Sequence, residues 1–98
     1  MFVHTVLFWL KPELTAAERA EFEAALRSLA GIPSVRAIHI GRPAPTERPV
    51  VDRTYSYGVD VHFDDLAGHD VYQVHPLHTG FIAAHSAKWL RVQIYDFC

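Results

Sequence analysis

Ninety-eight residues set a ceiling of one small domain, half of its residues apolar and 12% aromatic. A formal charge of −2 with no basic run argues against a nucleic-acid partner. The single cysteine, Cys98, rules out an internal disulfide framework and a cysteine metal cluster, and a reducing, cytoplasmic setting is expected.

The chain begins with Phe2–Leu10, a run of β-branched and aromatic residues that stops at Lys11-Pro12. It is too short to span a bilayer and lacks the basic lead and cleavage site of a secretory signal, so no membrane partner is expected. Both faces of this strand are apolar. Val3, Leu7 and Trp9 lie on one, and Val6, Phe8 and Leu10 on the other, with His4 in the second set. Thr15-Ala16-Ala17-Glu18 has the form of a capping box. It opens a helix with Phe22, Ala25, Leu26 and Leu29 at helical spacing, and Gly31 as the stop.

A second strand is predicted over 35–40. Pro43 to Pro49 holds three prolines and reads as a surface loop. A third strand over 54–63 puts Tyr55, Tyr57, Val59, Val61 and Phe63 on one face, and Ser56, Gly58, Asp60 and His62 on the other. Asp64-Asp65 caps a helix running to about Val74. Pro76 keeps His75 out of the helical region and restarts a helix that runs to about Ala87. Within that second helix His69-Asp70 reads as an exposed pair. Trp89–Phe97 closes the chain as a fourth strand, with Leu90, Val92, Ile94 and Asp96 sharing a face.

The order is βαββαβ, so the predicted class is α+β, a ferredoxin-like monomer with a four-stranded antiparallel sheet. Helices cover only one side of such a sheet. The other side would expose more apolar surface than a monomer tolerates, so a homodimer that closes two sheets into an α/β barrel is expected. Alternation does not say which set of residues faces inward.

The helix–proline–helix corner carries the chemistry. Tyr72 and His78 flank it and can share one space as an acid–base pair, since an imidazole titrates near neutrality. His75 is suited to fixing the turn through a backbone hydrogen bond. His4 is a polar residue where an aliphatic would pack better, which marks it as a site candidate. A pocket between sheet and helices is assigned Val6, Phe8, Val59, Phe81 and Ile94, with His4, His75 and Trp89. The seven histidines show no metal-ligand spacing, so neither a metal site nor a cofactor is expected.

The strand His4-Thr5-Val6-Leu7-Phe8-Trp9, the run His75-Pro76-Leu77-His78-Thr79-Gly80-Phe81 and a last strand opened by Trp89 resemble the stress-responsive dimeric α/β-barrel (Dabb) family. The resemblance spans Phe2 to Phe97. It implies the homodimeric barrel, and a pocket in which Tyr72 and His78 occupy positions of a catalytic tyrosine and histidine, with His4 and Trp89 in the lining. The implied activity is that of a cofactor-free lyase or cyclase acting on a polyketide-like or aromatic carbonyl compound. A non-catalytic stress-response or ligand-binding protein of the same fold is the alternative, and in either case a small apolar molecule is the expected ligand.

Overall fold

In the computed structural model, which describes Met1–Cys98, the chain folds as β1 (Phe2–Leu10), α1 (Ala16–Ser28), β2 (Ala37–Gly41), β3 (Tyr57–Phe63), α2 (Leu66–Val74), α3 (Pro76–His85) and β4 (Trp89–Phe97). Two short 3-10 turns follow α1 and α3. The four strands form one antiparallel sheet in the order β2-β3-β1-β4. The capping box at α1 is complete: Thr15 Oγ1 accepts from the Glu18 amide at 3.1 Å, and Glu18 Oε1 accepts from the Thr15 amide at 3.0 Å.

The question of facing is settled by burial. Phe2, His4, Val6, Phe8 and Leu10 of β1 are buried beneath the helices, as are Tyr57, Val59, Val61 and Phe63 of β3. Phe22 and Leu26 of α1, both 0% exposed, press on this row from above. Phe22 lies at the centre of a ring cluster, with centroids 5.2 Å from Phe8, 5.7 Å from Tyr57 and 5.6 Å from Phe81.

Two strands are shorter at their starts than the alternation suggests. The 54–56 segment has one backbone bond to β1, from the Ser56 amide to the Phe8 carbonyl at 2.7 Å, and is otherwise held by side chains. Asp52 Oδ1 accepts from the Thr54 amide, Trp9 Nε1–H donates to Thr54 Oγ1, and Ser56 Oγ accepts from the Leu10 amide. Tyr55 therefore leaves the inward row and packs edge-on to Trp9. At β2, the Val35 amide is bonded back to Ile32 in a turn, so the first bond to β3 comes from the Arg36 amide to the His62 carbonyl and the strand begins at Ala37.

The uncovered face of the sheet is divided. Leu7, Trp9, Tyr95 and Phe97 give it an apolar half over β1 and β4, with Arg91 lying over the Trp9 ring at 4.2 Å. Toward β3 and β2 it is polar: Thr5 Oγ1 donates to Asp60 Oδ1 at 2.7 Å, and His62 Nε2 lies 2.6 Å from Asp60 Oδ2. No helix is long and apolar enough to cross a membrane.

Candidate functional site

The α2–α3 corner builds the site, and Pro76 dictates its form. In an unbroken helix the Gln73 carbonyl would accept from the Leu77 amide. His75 instead takes an extended conformation (φ −65°, ψ 140°), and α2 ends there. The Leu77 amide is capped by His75 Nδ1 at 3.1 Å. That leaves the Gln73 carbonyl without a backbone partner, and His78 Nδ1–H donates to it at 3.0 Å. This bond assigns the proton to Nδ1, so Nε2 keeps its lone pair.

Tyr72 comes from the last turn of α2. Its ring is buried, packs edge-on against Phe63 at 5.1 Å and lies 4.6 Å from the His78 ring, centroid to centroid. Burial pushes its phenol up to about 12, so it stays protonated and available as a donor. Burial acts in the opposite direction on His78, lowering it from the ordinary imidazole value despite the Gln73 carbonyl. Near neutral pH the pair is therefore a neutral phenol beside a neutral imidazole.

These two side chains open on a cavity of about 170 Å³ over β1 and β4. His4, Val6, Phe8, Phe81, Trp89 and Ile94 line it as the sequence predicts. Phe81 and Trp89 stack at 6.0 Å as part of its wall without filling it. Two expected residues are elsewhere. Val59 sits on β3, paired between Val6 and Ile40, in core away from the β1–β4 side where the cavity opens. His75 spends its ring on capping α3 and is absent from the lining. Leu29, Gln73, Ile82 and Val92 complete the wall and were not anticipated.

At one end of the lining, His4 Nδ1–H donates to Asp96 Oδ1 at 2.5 Å. The two residues are direct partners across β1 and β4. Asp96 was visible in the sequence as the charged member of the Val92–Ile94 row, but its partner required the strand register. His69 departs from expectation more sharply. Its Nδ1 does contact Asp70 at 3.1 Å, yet the ring is buried, 4.7 Å from Phe2 and 5.0 Å from His4, because α2 turns this face toward β1.

Burial also lowers His4, and the Asp96 carboxylate offsets only part of that effect. An unfolded imidazole titrates near 6.5, so just below that pH the unfolded chain binds protons that folded His4 and His78 refuse. The stability contributed by keeping these rings neutral is therefore full above pH ~7 and is lost as pH falls through ~6.5 toward the lowered folded values. Urea midpoints are expected to fall between pH 7.5 and pH 5.5. An unchanged or higher midpoint at pH 5.5 would refute this account of the buried rings.

Residues 2–98 match the Stress responsive A/B Barrel Domain. Among curated proteins, olivetolic acid cyclase from Cannabis sativa is 25% identical over 95 residues, covering 96% of this chain and 92% of the cyclase. A dimeric ferredoxin-like protein of unknown function from Jannaschia sp. CCS1 superposes with a TM-score of 0.78 at 25% identity, covering 99% of this chain and 97% of that one. Hydroxynitrile lyase from Passiflora edulis has the same fold, with a TM-score of 0.81 at 16% identity over 98% of this chain and 90% of the lyase. With a match that runs from the first strand to the last residue, the chain belongs to the stress responsive A/B barrel domain family.

Proposed function

We propose that this protein is a homodimeric α/β barrel whose cavity takes a small, largely apolar carbonyl compound and catalyses cofactor-free lyase or cyclase chemistry on it. The observation that carries this reading is the unengaged Nε2 of His78, held beside the protonated Tyr72 at an apolar cavity. In the reaction, Nε2 removes a proton from the carbon next to the carbonyl and becomes imidazolium. Its Nδ1–H bond to the Gln73 carbonyl strengthens as charge develops. The carbonyl oxygen becomes an enolate oxygen that accepts a hydrogen bond from the Tyr72 hydroxyl, which an apolar setting makes more effective than in water. The enolate carbon then adds to a second carbonyl carbon, whose C=O π bond breaks as the carbon–carbon bond forms, and the imidazolium gives its proton to the resulting alkoxide. In the lyase direction the same steps run in reverse, with Nε2 first taking the hydroxyl proton.

Cavity size narrows the ligand. About 170 Å³ is close to the ~150 Å³ that accommodates benzene in an engineered protein cavity, so a single ring or a short chain fits better than an extended polyketide. The same small apolar space supports a second reading, a stress-response or ligand-binding protein that holds such a molecule without transforming it. Incubating the protein with a panel of small aryl and alkyl ketones and aldehydes separates the two. Turnover supports catalysis, binding without turnover supports storage, and neither binding nor turnover removes both.

The dimer is supported by the apolar half of the uncovered sheet face and by the dimeric description of the Jannaschia relative. A stable interface of this kind buries ~800 Å² per partner. Leu7 lies on an inner strand of that face, opposite Gly58. Leu7→Glu would bury an unpaired charge and is expected to weaken the dimer at least ~100-fold. Sedimentation equilibrium at micromolar concentration checks this; a wild-type protein that runs as a monomer would remove the dimer from the proposal.

A further inference from the structure

The proposed proton transfer uses Tyr72 and His78 and leaves a second group of donors unused. His4 of β1, His69 of α2 and Asp96 of β4 each bring one ligand atom to a place where all three lie within 4.8 Å of one another. They come from three separate elements, so no short sequence motif announces them. We infer that the chain binds one divalent zinc ion per subunit at His4, His69 and Asp96.

Two imidazoles and a carboxylate are a donor set that suits zinc, and three protein ligands leave a fourth position open. Zinc holds such donors at about 2.0–2.2 Å, which places them roughly 3.4 Å apart in a tetrahedron. The observed spacing needs adjustments of about an ångström to reach that geometry. Asp96 can supply most of the movement, because its side chain is 37% exposed near the end of the last strand. The two rings are fixed by packing, His4 beneath the helices and His69 against Phe2 and Phe63.

The His69 ring is oriented for a ligand role: its Nδ1 lies 3.1 Å from Asp70 Oδ1, and its Nε2 lies 3.2 Å from Gln73 Nε2, a contact the ion would replace. A carboxylate behind a histidine is the usual outer support of a zinc ligand. His4 is common to this cluster and to the cavity lining, so a bound ion would stand beside the cavity with its open position free for a polar ligand group or water.

The test is titration calorimetry of zinc sulfate into the untagged full chain after chelator treatment, with Co²⁺ as a spectroscopic substitute. The expected result is one zinc per subunit in the micromolar range and visible Co²⁺ absorption of a low-coordinate site. Asp96→Asn and His69→Phe, the latter keeping an aromatic ring against Phe2, should each raise the zinc Kd at least tenfold. His62→Ala, on the opposite face of the sheet, should bind as the wild type does. No binding tighter than millimolar, or equal binding in wild type and both ligand variants, would overturn the inference. If both variants fail to fold, histidine NMR of the wild type decides. Zinc-induced shifts at His4 and His69 support the site, and shifts confined to other histidines contradict it.

Discussion

The His78→Ala protein is expected to turn over a carbonyl substrate 10²–10⁴-fold more slowly than the wild type, the usual contribution of a positioned general base. His78 also satisfies the Gln73 carbonyl, so the alanine variant should lose about 1 kcal/mol of stability as well. His78→Asn separates the two effects. Its side-chain amide can still donate to that carbonyl, but it offers no basic nitrogen, so stability should recover while turnover stays low. Tyr72→Phe keeps the buried ring and removes the hydroxyl, and a smaller loss, about 10²-fold or more, is expected from losing one oxyanion donor. The rate should fall on the acid side as His78 becomes protonated, at a pH below the ordinary imidazole range because burial lowers this residue. No alkaline fall from Tyr72 should appear below pH ~10, since its phenol titrates at about 12. Turnover by both His78 variants at the wild-type rate would remove the base from the mechanism.

A second large effect is predicted far from that chemistry. Phe22 is 0% exposed, and besides Phe8, Tyr57 and Phe81 its ring has Trp89 at 6.2 Å and His85 at 6.1 Å. Phe22→Ala should leave a cavity amid rigid rings that cannot collapse into it, at ~3–5 kcal/mol. Domains of this size have only ~5–15 kcal/mol in total. The melting temperature should therefore fall by roughly 15–30 °C, measured at fixed protein concentration because dimerisation adds to apparent stability. Phe8, Phe81 and Trp89 also line the cavity, so the same substitution should loosen binding of the proposed carbonyl ligand. A loss below about 1 kcal/mol would mean that these rings are not packed around Phe22.

Features governed by local rules were legible in the sequence. Period-two alternation sorted the residues of β1 and β3 into their two faces, paired polar residues gave the α1 cap, and the chemistry of Pro76 gave the corner that brings Tyr72 and His78 together. Other features depend on tertiary contacts. Alternation could not say which face the helices cover. Asp96 has the right parity in β4, but its bond to His4 follows from a register that is defined only when β1 and β4 pair.

Helix α2 misleads most. It leaves Leu66, Val71 and Val74 exposed and buries His69 and Tyr72, so polarity points to the wrong face. Only docking onto β1 and β3 reveals that the three-residue spacing of His69 and Tyr72 is the inward stripe. Val59, expected in the pocket lining, is buried in the core and does not line the cavity. The cavity opens toward β4, on the far side of β1.

Proton exchange gives the most direct test, because it needs no knowledge of the final product. Small ketones that bind the protein are incubated with it in deuterium oxide, and loss of the proton signal next to the carbonyl is followed by NMR. The wild type should exchange that proton far faster than buffer, His78→Asn should fall at least ~100-fold, and Tyr72→Phe should lie between them. Ligands that bind in the cavity yet exchange no faster than in buffer, or exchange equally fast with both variants, would contradict the assignment of His78 as the base and Tyr72 as its partner.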